Sequence, residues 1–216
     1  ILLVTAPARL IVPFLPDDRV LLQGVSGSLW HGISNRALVA VQGGFLHLGR
    51  LRWSLSPLSL LSLDPRLGLD SEWGGQRVRG ELVYQSATSL ELSDIDAVLP
   101  AALVRQFIPL ELSGSFAILV PHLVIDGGVP VAGVGRIVWQ DAGWVSPQGK
   151  RHLGTYAVEF EQLEGGALLG EVVTLSGELQ AHGSVNLEGT NYAIDIVLAG
   201  PGLDDPQLQQ ALQLVA

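Results

Sequence analysis

The chain has 216 residues, 48% of them hydrophobic and 15% charged, with a formal net charge of −9. It contains no cysteine, which excludes disulfides, thiolate zinc sites, iron–sulfur clusters and cysteine nucleophiles. Residues 1–151 hold all 12 basic side chains and 12 acidic ones, whereas 152–216 hold 9 acidic and none basic; such an acidic end repels nucleic-acid phosphates and suits solubility or a basic partner.

In chain order, the first ten residues, ILLVTAPARL, carry one charge, Arg9, and are too short for the ~20 apolar residues of a membrane span. They read either as the end of a longer span or as a buried turn of helix interrupted by Pro7 and Pro13. The chain lacks methionine, so it is expected to be a processed or cut product. Arg19 to Gln23 and Val25 to Val41 then read as strands, with Val25, Leu29, Ile33, Ala37, Val39 and Val41 on one face. Leu51, Trp53 and Leu55 alternate with Arg50, Arg52 and Ser54; Val78, Leu82 and Tyr84 alternate with Arg77, Arg79 and Glu81.

Ser93 to Phe107 has a helical pattern, with Ser93 or Asp94 as cap and Pro100 suited to the first turn of a second short helix. Strand patterns resume at Leu110 to Val120 and Tyr156 to Phe160. From Val173 to Glu188 apolar or small residues alternate with polar ones without a break, which predicts one long ribbon or two strands meeting at a bend near Gly177 or Gly183. Tyr192, Ile194, Ile196 and Leu198 form a last strand. Asp204 or Asp205 is placed to cap a C-terminal helix with Leu208, Ala211, Leu212 and Val215 on one stripe. Turn signals at Gly43-Gly44, Gly74-Gly75, Gly127-Gly128, Gly165-Gly166 and Gly189 have hairpin spacing.

These elements predict an all-β fold with short helices: a strongly twisted or curved antiparallel sheet, a half-barrel or open barrel, with the helices plugging its apolar side. Ser26-Gly27-Ser28 and Ser113-Gly114-Ser115 each precede a tryptophan at similar spacing, Trp53 and Trp139, which suggests a duplicated meander over about 20–92 and 110–200. Ser176-Gly177 is a third such pair.

Chemistry is sparse. Gly24-Val25-Ser26-Gly27-Ser28 approaches a nucleophile elbow but lies in a strand pattern. His31, His47, His122, His152 and His182 have no metal-ligand spacing and read as wet-face residues. Asp17-Asp18, Asp94 with Asp96 and Asp204-Asp205 read as caps rather than as acid–base pairs. No enzyme, cofactor or metal site is expected.

Taken together, GVSGSLWHG (24–32), LRWSLSPLSLL (51–61), VLPAALV (98–104), LSGSF (112–116), GRIVWQDA (135–142) and HLGTY (152–156) resemble, in order and spacing, protein N of the bacterial type II secretion system. The resemblance runs from about Pro13 to the C-terminal end. It implies an inner-membrane anchor that residues 1–12 end or follow, and a single periplasmic β domain over 13–216. It further implies a non-enzymatic accessory component that binds other secretion subunits, at the inner-membrane platform or the secretin. No catalytic residues come with it; Trp30, Trp53, Phe116 and Trp139 enter as candidate apolar core or groove anchors. The composition leaves open a second reading, a periplasmic carrier of lipid or another hydrophobic ligand with an apolar groove, and a third, an outer-membrane barrel, which the three tyrosines and the helical interruptions disfavour.

Overall fold

The computed structural model describes residues 6–10, 20–41, 44–57, 59, 64–86, 88–106, 111–146, 149–164 and 166–200. Twelve strands occupy most of them: β1 Val20–Gly27, β2 His31–Val41, β3 Gly44–Leu55, β4 Arg66–Trp73, β5 Gln76–Tyr84, β6 Ser89–Pro100, β7 Leu112–Asp126, β8 Val129–Ser146, β9 Gly149–Gln162, β10 Leu168–Ser176, β11 Gln180–Glu188 and β12 Asn191–Ala199. They make one antiparallel sheet in which every strand pairs with its neighbours in the chain, in the order β1 to β12. The first and last strands do not pair, so the sheet is open and not a closed barrel. No helix among the described residues is long and apolar enough to cross a membrane.

Cross-strand register sorts the side chains onto two faces. One apolar row runs Leu99, Phe116, Trp139, Tyr156 across β6 to β9 and continues to Thr174 on β10. The next row runs Ala97, Ile118, Ile137, Val158, Val172, Gly183 and Ile196 across β6 to β12. Between them, on the opposite face, Val98, Ala117, Val138, Ala157 and Val173 form a further apolar row with Ala157 buried, and that face turns polar in the next row, at Arg136, Glu159 and Glu171: one side is dry and the other is wet outside this row. The buried cluster on the dry side centres on Ala142, Tyr156, Val172 and Ala181, with Trp139, Leu153, Val158, Val185 and Leu198 packed against it.

Register slips in five of the strand pairs interrupt the ladders, between Ser34 and Ala37, Arg79 and Glu81, Ser113 and Ser115, Trp139 and Ala142, and Thr174 and Ser176 among others. Each inserts an extra residue on one strand, which bends the strand and increases its twist. Asp94 and Asp141, at φ 52° and 48°, sit in two of these slips, where a short polar side chain tolerates the left-handed backbone.

Three expectations are corrected. Ser93 to Pro100 is strand, not helix: Ile95, Ala97 and Leu99 pair with Val120, Ile118 and Phe116, and helix is limited to a 3-10 segment, Ala101–Gln106. Flanking ladders from β5 and β7 supply this segment with backbone partners on both sides, which overrides its cap-like residues. The Val25 to Val41 pattern is two strands folded about Ser28 to Trp30; Ile33 lies opposite Ser26 and Arg52, on the wet side, not with Ala37.

The third concerns the single apolar face expected of the alternating ribbon; its division into two strands near Gly177 is as expected. Val173 to Glu188 is a hairpin, β10 and β11, reversing through Gly177 to Leu179. Val172 pairs with Gly183, so an even-numbered residue of β10 shares its face with an odd-numbered residue of β11. Val173 and Leu175 consequently point to the wet side and are exposed, while Leu179 and Ala181 are buried. The predicted C-terminal helix from Asp204 or Asp205, most of the N-terminal segment and the Asp17-Asp18 pair lie outside the described residues.

Candidate functional site

The four aromatic anchors fall into two groups that the fold does not bring together. Trp30, in the β1–β2 turn, and Trp53, on β3, are buried near the first edge of the sheet. The Trp53 indole N–H donates to the Leu29 carbonyl at 3.2 Å, and its ring lies over Gly32, its partner on β2, where no side chain intervenes. Phe116 and Trp139 are half-buried on β7 and β8 with ring centroids 5.6 Å apart, and Trp139 continues to Tyr156 on β9 at 6.1 Å. The Trp139 indole N–H donates to the Ser113 carbonyl at 3.0 Å.

The three Ser-Gly pairs have a common geometry. Gly27, Gly114 and Gly177 all adopt positive φ, at 92°, 96° and 126°, and each lies where a side chain would strike neighbouring backbone. Beside each, an aromatic polar group is tied to main chain: Trp53 to Leu29, Trp139 to Ser113, and the Tyr156 hydroxyl to the carbonyls of Leu153 and Leu179, 2.9 and 3.0 Å away. A single hydroxyl hydrogen serves both of those oxygens. Burial holds the Tyr156 phenol above the ordinary tyrosine range. Tyr156 was not singled out in the sequence, where it reads as one strand residue among many.

The wet face carries one line of partners through ten strands: Arg52, Asp70, Arg79, Asp96, Leu119, Arg136, Glu159, Glu171, Ser184 and Asp195. In its first part opposite charges neutralise each other, with Asp70 at 2.8 Å from Arg79 and 3.9 Å from Arg52. Arg136 reaches Glu159 at 3.3 Å, and beyond it Glu171 and Asp195 have no ion pair among the described residues. All five histidines are exposed, and His122 lies 3.2 Å from Glu91. No group of three or more potential metal ligands occurs among the described residues.

Hollows mark both faces. On the dry side of β7 to β11, Leu123, Pro130, Phe160, Leu168, Val185 and Leu187 line an apolar depression of about 260 Å3. On the wet side a hollow of about 360 Å3 lies between Leu119, Val134 and Leu169 and the charged groups of Arg136, Glu159 and Glu171.

The sheet has two edge strands, β1 and β12. At the β1–β2 turn, Pro7 bridges Ser28 and the Leu29 N–H donates to the Ala6 carbonyl at 2.8 Å, so residues of the N-terminal segment cap the turn that follows β1. β12 pairs with β11 through nine consecutive residues without a slip, and its far side is open among the described residues. It has no proline, lysine or arginine, and a single charge, Asp195. Tyr192, Ile194 and Ile196, all on the apolar face, are 74%, 59% and 41% exposed. An unbulged edge strand with exposed apolar side chains is a template for a further strand. The sequence marks these residues as a strand; that nothing among the described residues covers them is a property of the assembled sheet.

Comparison with known proteins gives a consistent assignment. Residues 18–216 match the family model described as type II secretion system (T2SS), protein N. The chain is 29% identical to the type II secretion system protein N of Aeromonas hydrophila, over 98% of this chain and 85% of that protein. It is also 29% identical to the protein of the same name from Klebsiella pneumoniae, over 77% of this chain and 65% of that one. No solved structure matches. With the family model covering all twelve strands, the chain belongs to the type II secretion system protein N family and is a component of that secretion system.

Proposed function

We propose that this component is a non-enzymatic accessory subunit whose β domain lies in the periplasm, anchored to the inner membrane through the segment that residues 1–12 end or follow. Its domain binds other secretion subunits, of the inner-membrane platform or the secretin, by adding a strand of the partner to β12. The observation that carries this reading is the open, unbulged, apolar β12 edge. Strand addition supplies affinity through main-chain hydrogen bonds and needs no special side-chain chemistry, which fits a fold whose residues point to no reaction. On this reading Trp30, Trp53, Phe116 and Trp139 hold the sheet's curvature and contact no ligand.

The test replaces Ile194 and Ile196 together with lysine. Both side chains are already exposed, so the fold tolerates the change, while two charges on an edge oppose strand pairing. Capture of purified platform and secretin subunits at low salt is expected to fall to background with an unchanged melting temperature. Undiminished capture by the folded double variant refutes the edge.

The apolar depression supports a second reading, a carrier of lipid or another hydrophobic ligand. Its volume, about 260 Å3, falls below the ~300–1,000 Å3 of most ligand pockets, which places this reading second. Native mass spectrometry of the purified chain decides it: a co-purified lipid supports the carrier, and a bare chain counts against it.

A further inference from the structure

The side chains around β12 define what kind of strand it accepts. Resting on the reading of β12 as a docking edge, we infer that the partner strand alternates apolar residues with basic ones, in the pattern basic, apolar, any, apolar, basic, apolar. Electrostatics is what selects this partner over the others that an open edge admits.

A strand added to β12 lies about 4.8 Å from it, with its side chains directly opposite those of β12. On the apolar face the opposing residues meet Tyr192, Ile194 and Ile196, so three alternating positions of the partner must be apolar to remove those surfaces from water. On the other face the partner meets Asn191, Ala193, Asp195 and Val197. Asp195 has no ion pair among the described residues. Across Asn191 lies Glu188, its exposed partner on β11. A lysine or arginine opposite Asp195, and a second one opposite Asn191, would each stand within reach of a carboxylate.

The wider field has the same sign. Residues 152–200, which cover most of β9 and all of β10 to β12, hold Glu159, Glu161, Glu164, Glu171, Glu178, Glu188 and Asp195 and no lysine or arginine. A second copy paired through its own β12 would bring two such ends together within a Debye length of about 8–10 Å, with like charges facing. The chain's own residues 201–216 carry Asp204 and Asp205 and no lysine or arginine, so they too bring negative charge to a negative edge. Both occupants meet repulsion where a basic strand meets attraction.

The experiment uses the full chain and two nine-residue peptides of valine and threonine. One has lysines at the positions facing Asn191 and Asp195, and its twin has glutamates there. Binding is read by fluorescence anisotropy at low and high salt, with amide hydrogen exchange locating the site. The lysine peptide is expected to bind about tenfold tighter than its twin, to weaken at high salt and to slow exchange at the outward amides of β12. Asp195→Lys is expected to narrow or reverse the preference. Equal binding of the two peptides, or no change with Asp195→Lys, overturns the inference. So does slow exchange at those amides in the free chain, whether concentration-dependent, as a second copy would give, or independent, as the chain's own end would give. The subunit capture by Ile194→Lys with Ile196→Lys separates the two levels. Loss of capture with equal peptide binding leaves the docking edge and removes the basic strand, whereas undiminished capture removes the edge itself.

Discussion

Replacing Gly32 with alanine tests whether the first aromatic anchor shapes the sheet. A methyl at this position would overlap Cζ2, Cε2 and Cη2 of Trp53, the farthest of these at 2.7 Å, where carbon atoms normally stand about 3.5–4.0 Å apart. Trp53 is 5% exposed and its indole N–H is held by the Leu29 carbonyl, so the ring cannot tilt away without breaking that bond. Overpacking of this kind costs roughly 1–3 kcal/mol, and the broken hydrogen bond adds about 1 kcal/mol. A destabilisation near ~3 kcal/mol corresponds to a fall in melting temperature of about 6–12 °C for a chain of this size. Thermal unfolding by circular dichroism measures the loss, and a red shift of tryptophan emission reports a displaced indole. The decisive arm is Trp53→Leu, a background in which Gly32→Ala should cost less by at least ~1.5 kcal/mol because the overlap is gone. A Gly32→Ala protein within about 0.5 kcal/mol of the parent, or a penalty undiminished in the Trp53→Leu background, would refute the argument.

Three further outcomes follow from the same geometry. Tyr156→Phe is expected to cost about 1–3 kcal/mol at neutral pH, since it removes the donor shared by the Leu153 and Leu179 carbonyls. The parent's Tyr156 phenol stays neutral above the ~10 at which an unfolded tyrosine ionises, so its contribution is intact below that pH and declines as the pH climbs toward the raised folded value; urea unfolding across this range should show a shallower alkaline decline in the variant. Ser113→Ala should be neutral or stabilising by up to about 1 kcal/mol in chemical denaturation, because the Ser113 hydroxyl is buried without a hydrogen-bond partner among the described residues. Asp70→Asn should change stability by less than about 1 kcal/mol despite breaking contacts to Arg79 and Arg52, since both guanidinium groups are exposed; a larger loss by the same method would show that the cross-sheet charge line acts cooperatively.

Much of this architecture was legible because a strand repeats every two residues and a half-wet sheet writes that period into the chain. Trp53 between Arg52 and Ser54 announces its face directly, whereas Val158 stands between Glu159 and an apolar Ala157 that is itself buried. The period could not reveal where the chain reverses. Ser176, Gly177 and Glu178 continue the alternation through the β10–β11 turn, so Val173 carries the same local signal as Val185 and ends on the opposite face. At Ser93 and Asp94 the local residues favour a helix start, and only the ladders with β5 and β7 decide for strand. The exposed side of β12 was hidden for a different reason. Tyr192, Ile194 and Ile196 look like any other inward strand until the sheet's order shows that no thirteenth strand follows among the described residues.

That strict order also bears on how the molecule is built. Every ladder joins a strand to the one immediately before it, and the widest separation along the chain in any pair is that of Ser89 and Asp126. Contact order is correspondingly low for an all-β protein, and loop closure is short-range throughout. A chain emerging amino end first can lay each new strand on a finished template, with no early segment waiting for a distant partner. Assembly of this kind tolerates interruption: a polypeptide stopped after any hairpin leaves a shorter sheet of the same construction, and nascent-chain truncations ending after β6, β8 or β10 should show progressively longer protected ladders.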